Sequence, residues 1–245
     1  ERIFIMAKLS SSGHKLGQLV GDWYEEFIAT RILESVAKDL SLYVDHRFKT
    51  RTCRPSSKLI WSDLDGNGVD YDFVLELGGT DDKRGTPIAF FETFWRRGAR
   101  HSKDKARDDS VKLLPMRSTY PTARILGIIS AGDFSVPTQG LVKSRNIDLF
   151  YIPKNKIIES WRLCGIEIDY DDGADEVVKI TIVSDAVISL SEKISKKKIA
   201  DMLYSLVGVA IFKSYAERLK GALYALPVTY GISNMYVEDK KEFER

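Results

Sequence analysis

Cysteine and histidine are scarce: the 245 residues contain only Cys53 and Cys164, and His14, His46 and His101. The two cysteines are far apart and have no CxxC or CxxH neighbour. Neither a disulfide framework nor a structural zinc site is therefore expected, and both read as reduced thiols. The scattered histidines argue against a histidine-based metal site or triad. The phosphate-cradling pattern GxxxxGK[ST] and the dinucleotide pattern GxGxxG are missing, so ATP hydrolysis and dinucleotide binding have no local support. No apolar run approaches the roughly 20 residues of a membrane span. Ile3-Phe4-Ile5-Met6 is too short for a signal peptide, so a cytosolic location is expected. There is no low-complexity tract and no fixed repeat. At 44% hydrophobic and 29% charged residues the composition is that of a globular protein, and the length suits one elaborated domain, 1–245, with a proper core.

From Lys15 to Asp39 apolar residues recur at helical spacing, as Leu16, Leu19, Val20, Trp23, Phe27, Ile32, Leu33 and Val36. A basic connection from Arg47 to Lys58 leads to Leu59-Ile60-Trp61, a short strand. Asp63-Leu64-Asp65-Gly66-Asn67-Gly68 reads as a turn and not as a calcium loop, because the later EF-hand positions do not fit. Strands are expected over 69–77 and 87–95, paired as a hairpin. A basic helix over 101–114 should stop before Pro115. Buried strands follow at 123–130 and 147–153, separated by a short helix over 139–146. Helical crossovers make the last three strands parallel. Beyond them the pattern predicts a helix over 154–163, a strand over 177–183, and amphipathic helices between Ser184 and Tyr224. The four tryptophans, Trp23, Trp61, Trp95 and Trp161, read as core or groove residues.

Carboxylates inside apolar strands are the informative feature, because burying one costs several kcal/mol unless a cation or donors satisfy it. Glu92 interrupts Ile88-Ala89-Phe90-Phe91 and Thr93-Phe94-Trp95. Asp72 lies between Tyr71 and Phe73-Val74-Leu75. In a hairpin the two converge, and two or three such oxygens form a hard Mg²⁺ site. Asp70, two residues earlier, reads equally as a helper at the metal or as a strand-entry aspartate. Net charge is only +2, but Arg96, Arg97, Arg100, His101, Lys103, Lys105 and Arg107 form a basic run opposed only by Asp104. That run is suited to phosphates, or to a solvated helix face.

The segments Tyr71-Asp72-Phe73-Val74 and, twenty residues on, Glu92-Thr93-Phe94, set behind a helix and ahead of a basic helix and two buried strands, resemble the PD-(D/E)xK nuclease superfamily. The likeness covers about 15–155. It implies an α/β fold with a restriction-endonuclease-like mixed central sheet flanked by helices, followed by a mostly helical extension over about 156–245. It also implies a Mg²⁺-dependent, sequence-specific endonuclease of restriction type acting on double-stranded DNA. Asp72 and Glu92 would hold the metal, helped by Glu25 or Glu26 on the first helix, where the other reading is a pair of solvated glutamates. Arg96, Arg97, Arg100, His101, Lys103 and Arg107 would contact the DNA backbone. A homodimer matched to a palindromic site is expected, built on the helices between Ser184 and Tyr224. The departure is Phe94, which stands where the family has its lysine. Lys103 or Lys105 is the expected replacement. The alternative is a catalytically inactive nuclease-fold subunit that binds DNA or serves in assembly.

Overall fold

The structure is a computed structural model that describes residues 12–171 and 173–224, together with the backbone of Thr229–Tyr230 and Ser233–Asn234. The first helical stretch is one rod made of three parts. α1 (Ser12–Tyr24) runs into a π-helical turn (Glu25–Ala29), which continues as α2 (Thr30–Asp39). Next come β1 (Tyr43–His46), the hairpin β2 (Leu59–Ser62) and β3 (Gly68–Tyr71), β4 (Phe73–Leu77) and β5 (Thr86–Arg96). The chain continues through α3 (Ala99–Thr119), β6 (Ile125–Gly132), α4 (Val136–Ser144), β7 (Asp148–Pro153) and α5 (Lys154–Leu163). The extension consists of α6 (Glu176–Ser189), α7 (Lys193–Val207), α8 (Val209–Tyr224) and the two-residue strands β8 (Thr229–Tyr230) and β9 (Ser233–Asn234).

The central sheet has the order β1-β4-β5-β6-β7. β1 and β5 both run antiparallel to β4, whereas β5, β6 and β7 are parallel. The result is a mixed five-stranded sheet with helices on both faces. Its middle strands are apolar on both sides, as a sheet covered twice requires. Along β5, Ala89, Phe91 and Trp95 join α1, α2 and the extension helices in one core, while Phe90 and Phe94 join α3 and the β2–β3 hairpin in the other. Ile199, Leu203, Phe212 and Leu219 of α7 and α8 belong to the first core, so the extension is packed on the sheet. Two glycines set the close contact of β5 with β6. A side chain at Gly127 would strike the Phe91 ring, and one at Gly132, with φ of 124°, would strike the Arg96 carbonyl.

The structure departs from expectation in five places. β1 was not foreseen, because Asp45 and His46 make it locally polar. The strand expected over 69–77 is broken at Asp72, so that β3 pairs with β2 and β4 with β5. Pro115 lies inside α3 instead of ending it. The carbonyl left unmatched, that of Val111, is on an exposed residue where water can serve it. The short helix α4 begins at Val136, three residues earlier than its pattern suggests. Finally, Val177–Val183 is helical and not a strand. Val183, Ala186 and Leu190 recur at helical spacing and are buried, and that packing overrides the β-branched composition. The Asp63–Asn67 turn is as expected, with Asp63 Oδ1 accepting the amides of Asp65 and Asn67. Both cysteines are free. Among the described residues no single helix is long and apolar enough to cross a membrane. α7 and α8 qualify only as a pair, and they meet at an 89° bend.

The edge of the sheet is held by Arg51, whose side chain is fully enclosed. Nη1 bonds Asp45 at 2.9 Å and Glu76 at 2.5 Å, Nη2 bonds Glu76 at 2.8 Å and the Lys83 carbonyl at 2.7 Å, and Nε bonds the Thr80 carbonyl at 3.0 Å. All five guanidinium donors are thus used, and the loop after β1 is tied to β1, to β4 and to the loop between β4 and β5. Arg51→Met is expected to destabilise the fold by about 3–5 kcal/mol in urea unfolding, because it strands two buried carboxylates. Arg51→Lys should recover only part of the loss, having no fork to span both. A loss under about 1 kcal/mol would show that the clamp is dispensable.

Candidate active site

Glu25 and Glu92, from two different elements, each lie near enough to Asp72 to feel its charge. Glu25 opens the π-helical turn, where the wider i→i+5 turn is closed by the Thr30 amide and hydroxyl on the Glu25 carbonyl. Its side chain is buried against the sheet. Arg47, directly after β1, grips it with two bonds, Nε–Oε1 at 2.8 Å and Nη2–Oε2 at 2.9 Å, and also reaches Asp22 at 2.5 Å. Asp72 occupies the break between β3 and β4, and its Oδ2 accepts the Thr93 amide at 2.7 Å and the Thr93 hydroxyl at 3.0 Å. Glu92, in the middle of β5, is 1% exposed.

Helix α3 supplies the cations. Lys112 Nζ is 2.6 Å from Glu92 Oε1, and Lys105 Nζ is 3.7 Å from Oε2. Lys105 also bonds Asp109 Oδ1 at 2.6 Å. Asp109 is fully buried, and its Oδ2 has no hydrogen-bond partner. Lys105, Asp109 and Lys112 are spaced i, i+4, i+7 and so lie on one helix face. Phe94 projects from β5 on the same side as Glu92 but packs edge-on against Phe134, with ring centroids 5.7 Å apart. Position 94 is therefore part of the core, and the lysines reach Glu92 from the helix above.

The electrostatics record the crowding of negative charge. Burial, followed by repulsion from Asp72, raises the Glu25 carboxyl to about 7 in spite of Arg47. Glu92 is pushed well above the carboxylate range by burial and then by Asp72 and Asp109. Burial also raises Asp109, and the charge of Asp72 adds to this against the pull of Lys105. Burial alone would lower Lys105, but Asp109 and Glu92 outweigh it and raise the ammonium. Asp72 is thus the common neighbour of Glu25, Glu92 and Asp109.

The other expected residues divide. Asp70 is taken up by the β2–β3 hairpin, where it accepts the Leu59 amide at 2.8 Å. Glu26 is turned toward α7, pairing with Lys196 at 3.3 Å. Lys103 is exposed, and Arg107, also exposed, pairs with Asp104 and Asp108. Of the two lysines expected to stand in at position 94, Lys105 is the one found beside Glu92. Arg96, Arg97, Arg100 and His101 line a cavity of about 1050 Å³ that reaches Glu25 and Thr93 but stops short of Glu92. Arg97 bonds Asp169 and the Tyr170 carbonyl. Lys112, Asp109 and Arg47 were not foreseen. The helical spacing of the first two from Lys105 is the signal that identifies them. Among the described residues, no three Asp, Glu, His or Cys side chains are already close enough to cage a metal ion.

No protein-family model matches the chain, and no curated protein matches it. A solved structure described as a protein of unknown function, AF1548, aligns with 81% of this chain and 98% of its own, at 12% identity and a TM-score of 0.34. A likeness at that level bears on neither fold nor function.

A raised carboxyl favours the protonated fold. From about pH 4.5 to about 7 the folded chain holds a proton on Glu25 that the unfolded chain has released, so this contribution is present at low pH and is lost as pH rises. Glu25→Gln should therefore flatten the pH dependence. Between about pH 5 and about pH 8 the wild type is expected to lose on the order of 2 kcal/mol more in urea unfolding than the variant does. Parallel curves would assign the titration to another group.

Proposed function

We propose that the protein is a metal-dependent phosphodiesterase that acts on nucleic acid, built on a restriction-endonuclease-like sheet. The observation that carries this reading is the placing of Asp72 beside Glu25 and Glu92, with two lysines on the Glu92 side. The order of an opening helix, β4 behind Asp72, β5 with Glu92, the basic helix α3 and the strands β6 and β7 agrees with the pattern the resemblance implies, to which β1 and the β2–β3 hairpin are additions. The donor set suits a hard cation. Its ligands are all carboxylate oxygens, and Glu25, Asp72, Glu92 and Asp109 outnumber Arg47, Lys105 and Lys112. One buried oxygen, Asp109 Oδ2, has no partner.

Glu25, Asp72 and Glu92 would hold a magnesium ion, which supplies positive charge against a phosphodiester and favours hydrolysis. The protein's own groups do the rest. Thr93 fixes Asp72 through its amide and hydroxyl. Arg47 orients Glu25. Lys112 and Lys105, 32% and 27% exposed, sit at the open side of Glu92 and put ammonium protons where charge develops on a phosphoryl group. Asp109 holds Lys105 in place. Lys112 and Lys105 together thus take the part of the lysine missing at position 94. A homodimer and sequence-specific cutting of duplex DNA remain part of the resemblance, and no residue of the cluster reads bases.

Labelled single-stranded and duplex oligonucleotides, incubated with Mg²⁺ or EDTA, test the reading. Cleavage should need Mg²⁺, and it should fall by roughly 10²–10³-fold or more in Asp72→Asn and Glu92→Gln and substantially in Lys112→Ala. Intact substrates with salt-sensitive binding would instead favour the non-catalytic subunit that Phe94 first suggests.

A further inference from the structure

The cavity beside Glu25 and Thr93 deepens the proposed function, and the occupant assigned to it rests on that reading. Along α1, Gly13, Gly17, Gly21 and Glu25 are each four residues apart and lie along one face, which forms a wall of the cavity. The facing wall is the end of β5 and the start of α3, with Trp95, Arg96 and Arg100. The far end is closed by Lys154 at the start of α5, by Tyr170 and by Lys179 of α6, and Glu176 of α6 is tied to α1 by accepting the Ser12 amide at 3.0 Å. The recess is therefore walled on three sides. Six Lys and Arg side chains line it against four carboxylates.

Size and shape limit the occupant. About 1050 Å³ is the upper end of the range for pockets that enclose a small ligand, on the order of 300–1,000 Å³. A duplex, whose major groove alone is about 12 Å wide, does not enter such a space. A few nucleotides of one strand do. Tyr170 packs against the core and holds the Arg97 guanidinium 3.9 Å and the Lys179 ammonium 5.6 Å from its ring centroid, which fixes two cations at this end of the recess. Gly17 and Gly21 keep the recess open without serving the packing. A Cβ at either would meet nothing within 4 Å, and each costs the helix about 1 kcal/mol relative to alanine.

We infer that the cavity takes a single nucleic-acid strand and that the protein acts on single-stranded or frayed ends, in place of the double-stranded substrate the resemblance implies. The strand lies between the glycine face of α1 and the basic end of β5, with a phosphate delivered toward Glu25 and Thr93.

The test is fluorescence anisotropy in EDTA, using short labelled oligothymidylate, oligouridylate and a blunt DNA hairpin, on wild type, Gly17→Leu, Gly21→Leu and Arg100→Glu. The leucines fill the recess from open positions, and thermal unfolding checks that the helix is kept. Arg100 is exposed, so its reversal tests the charge without touching the core. A strand of one or both sugars should bind at least about tenfold more tightly than the hairpin and lose at least about tenfold in all three variants. Equal affinity for the hairpin, no strand binding, or leucine variants that bind like wild type would overturn the inference. Strand binding lost in the variants, but without Mg²⁺-dependent cleavage, would uphold the cavity as the strand site and remove the phosphodiesterase reading, and with it the action on single strands. Duplex cleavage indifferent to the leucines would do the reverse.

Discussion

A carboxylate in the central strand of a doubly covered sheet must be matched by positive charge, and the surroundings of Glu92 are organised by that need. At 1% exposure it cannot rely on water, and its neighbours in β5 are apolar. Lys112 and Lys105 therefore come down from α3, and that helix has to lie close over β5 for its lysines to reach. Asp109 follows as a consequence, since a half-buried Lys105 is held best between two acids. The same rule operates at the sheet edge, where Arg51 answers Asp45 and Glu76 with all its donors. The two clusters differ in outcome. Arg51 and Arg54 balance Asp45 and Glu76 one for one, whereas Glu25, Asp72, Glu92 and Asp109 outnumber Arg47, Lys105 and Lys112. Surplus charge inside a fold is costly, and clusters of this kind are candidates for functional sites.

The π-helical turn makes the cluster a three-element site. In a regular helix from Ser12 to Asp39 the buried stripe would drift steadily, but the wider turn at Glu25–Ala29 resets it. Val20, Trp23 and Tyr24 are buried before the turn, and Ile28, Ile32 and Leu33 after it, with Glu25 held against the sheet between them. Such turns cost hydrogen-bond geometry and are often found where a side chain must be placed for function. Here the side chain is one that Asp72 repels and Arg47 restrains.

Much of the fold is legible in the sequence where one strand's composition decides its place. β5 and β6 are near-continuous apolar runs, and they are the two central strands. Glu92 is legible for the same reason, as a charge an apolar strand carries only when it is paired, and Asp72 is legible as a charge that interrupts an apolar run, at what proves to be the break between β3 and β4. β1 is not, because Tyr43-Val44-Asp45-His46 becomes strand-like only once Arg51 and Arg54, several residues away, neutralise Asp45. Val177–Val183 misleads in the opposite sense. Its β-branched residues favour a strand, yet what fixes the segment is the docking of Val183, Ala186 and Leu190, and Val177, Val178 and Ile180 are left exposed. Lys112 is hidden by distance. It lies twenty residues past Glu92, and only the winding of α3 brings it back.

Phe94 is where local reading and the folded arrangement differ most. Read along the strand, it is a lost lysine and argues for an inert protein. In the fold it is a core residue against Phe134, and a lysine there would have to thread its ammonium out of an apolar cluster that contains Phe90, Leu113 and Val142. On the proposed function, what is needed is an ammonium beside the strand carboxylate, and the chain position that supplies it is free to change as long as the nitrogen arrives there. Lys112 Nζ at 2.6 Å from Glu92 meets that condition. Moving the cation onto α3 also ties its position to the helix that carries Arg100 and His101 into the cavity wall. On the proposed function, the grip on a substrate phosphate and the charge at the carboxylates would depend on one rigid element, and that coupling would be a reason for the lysine to sit on the helix.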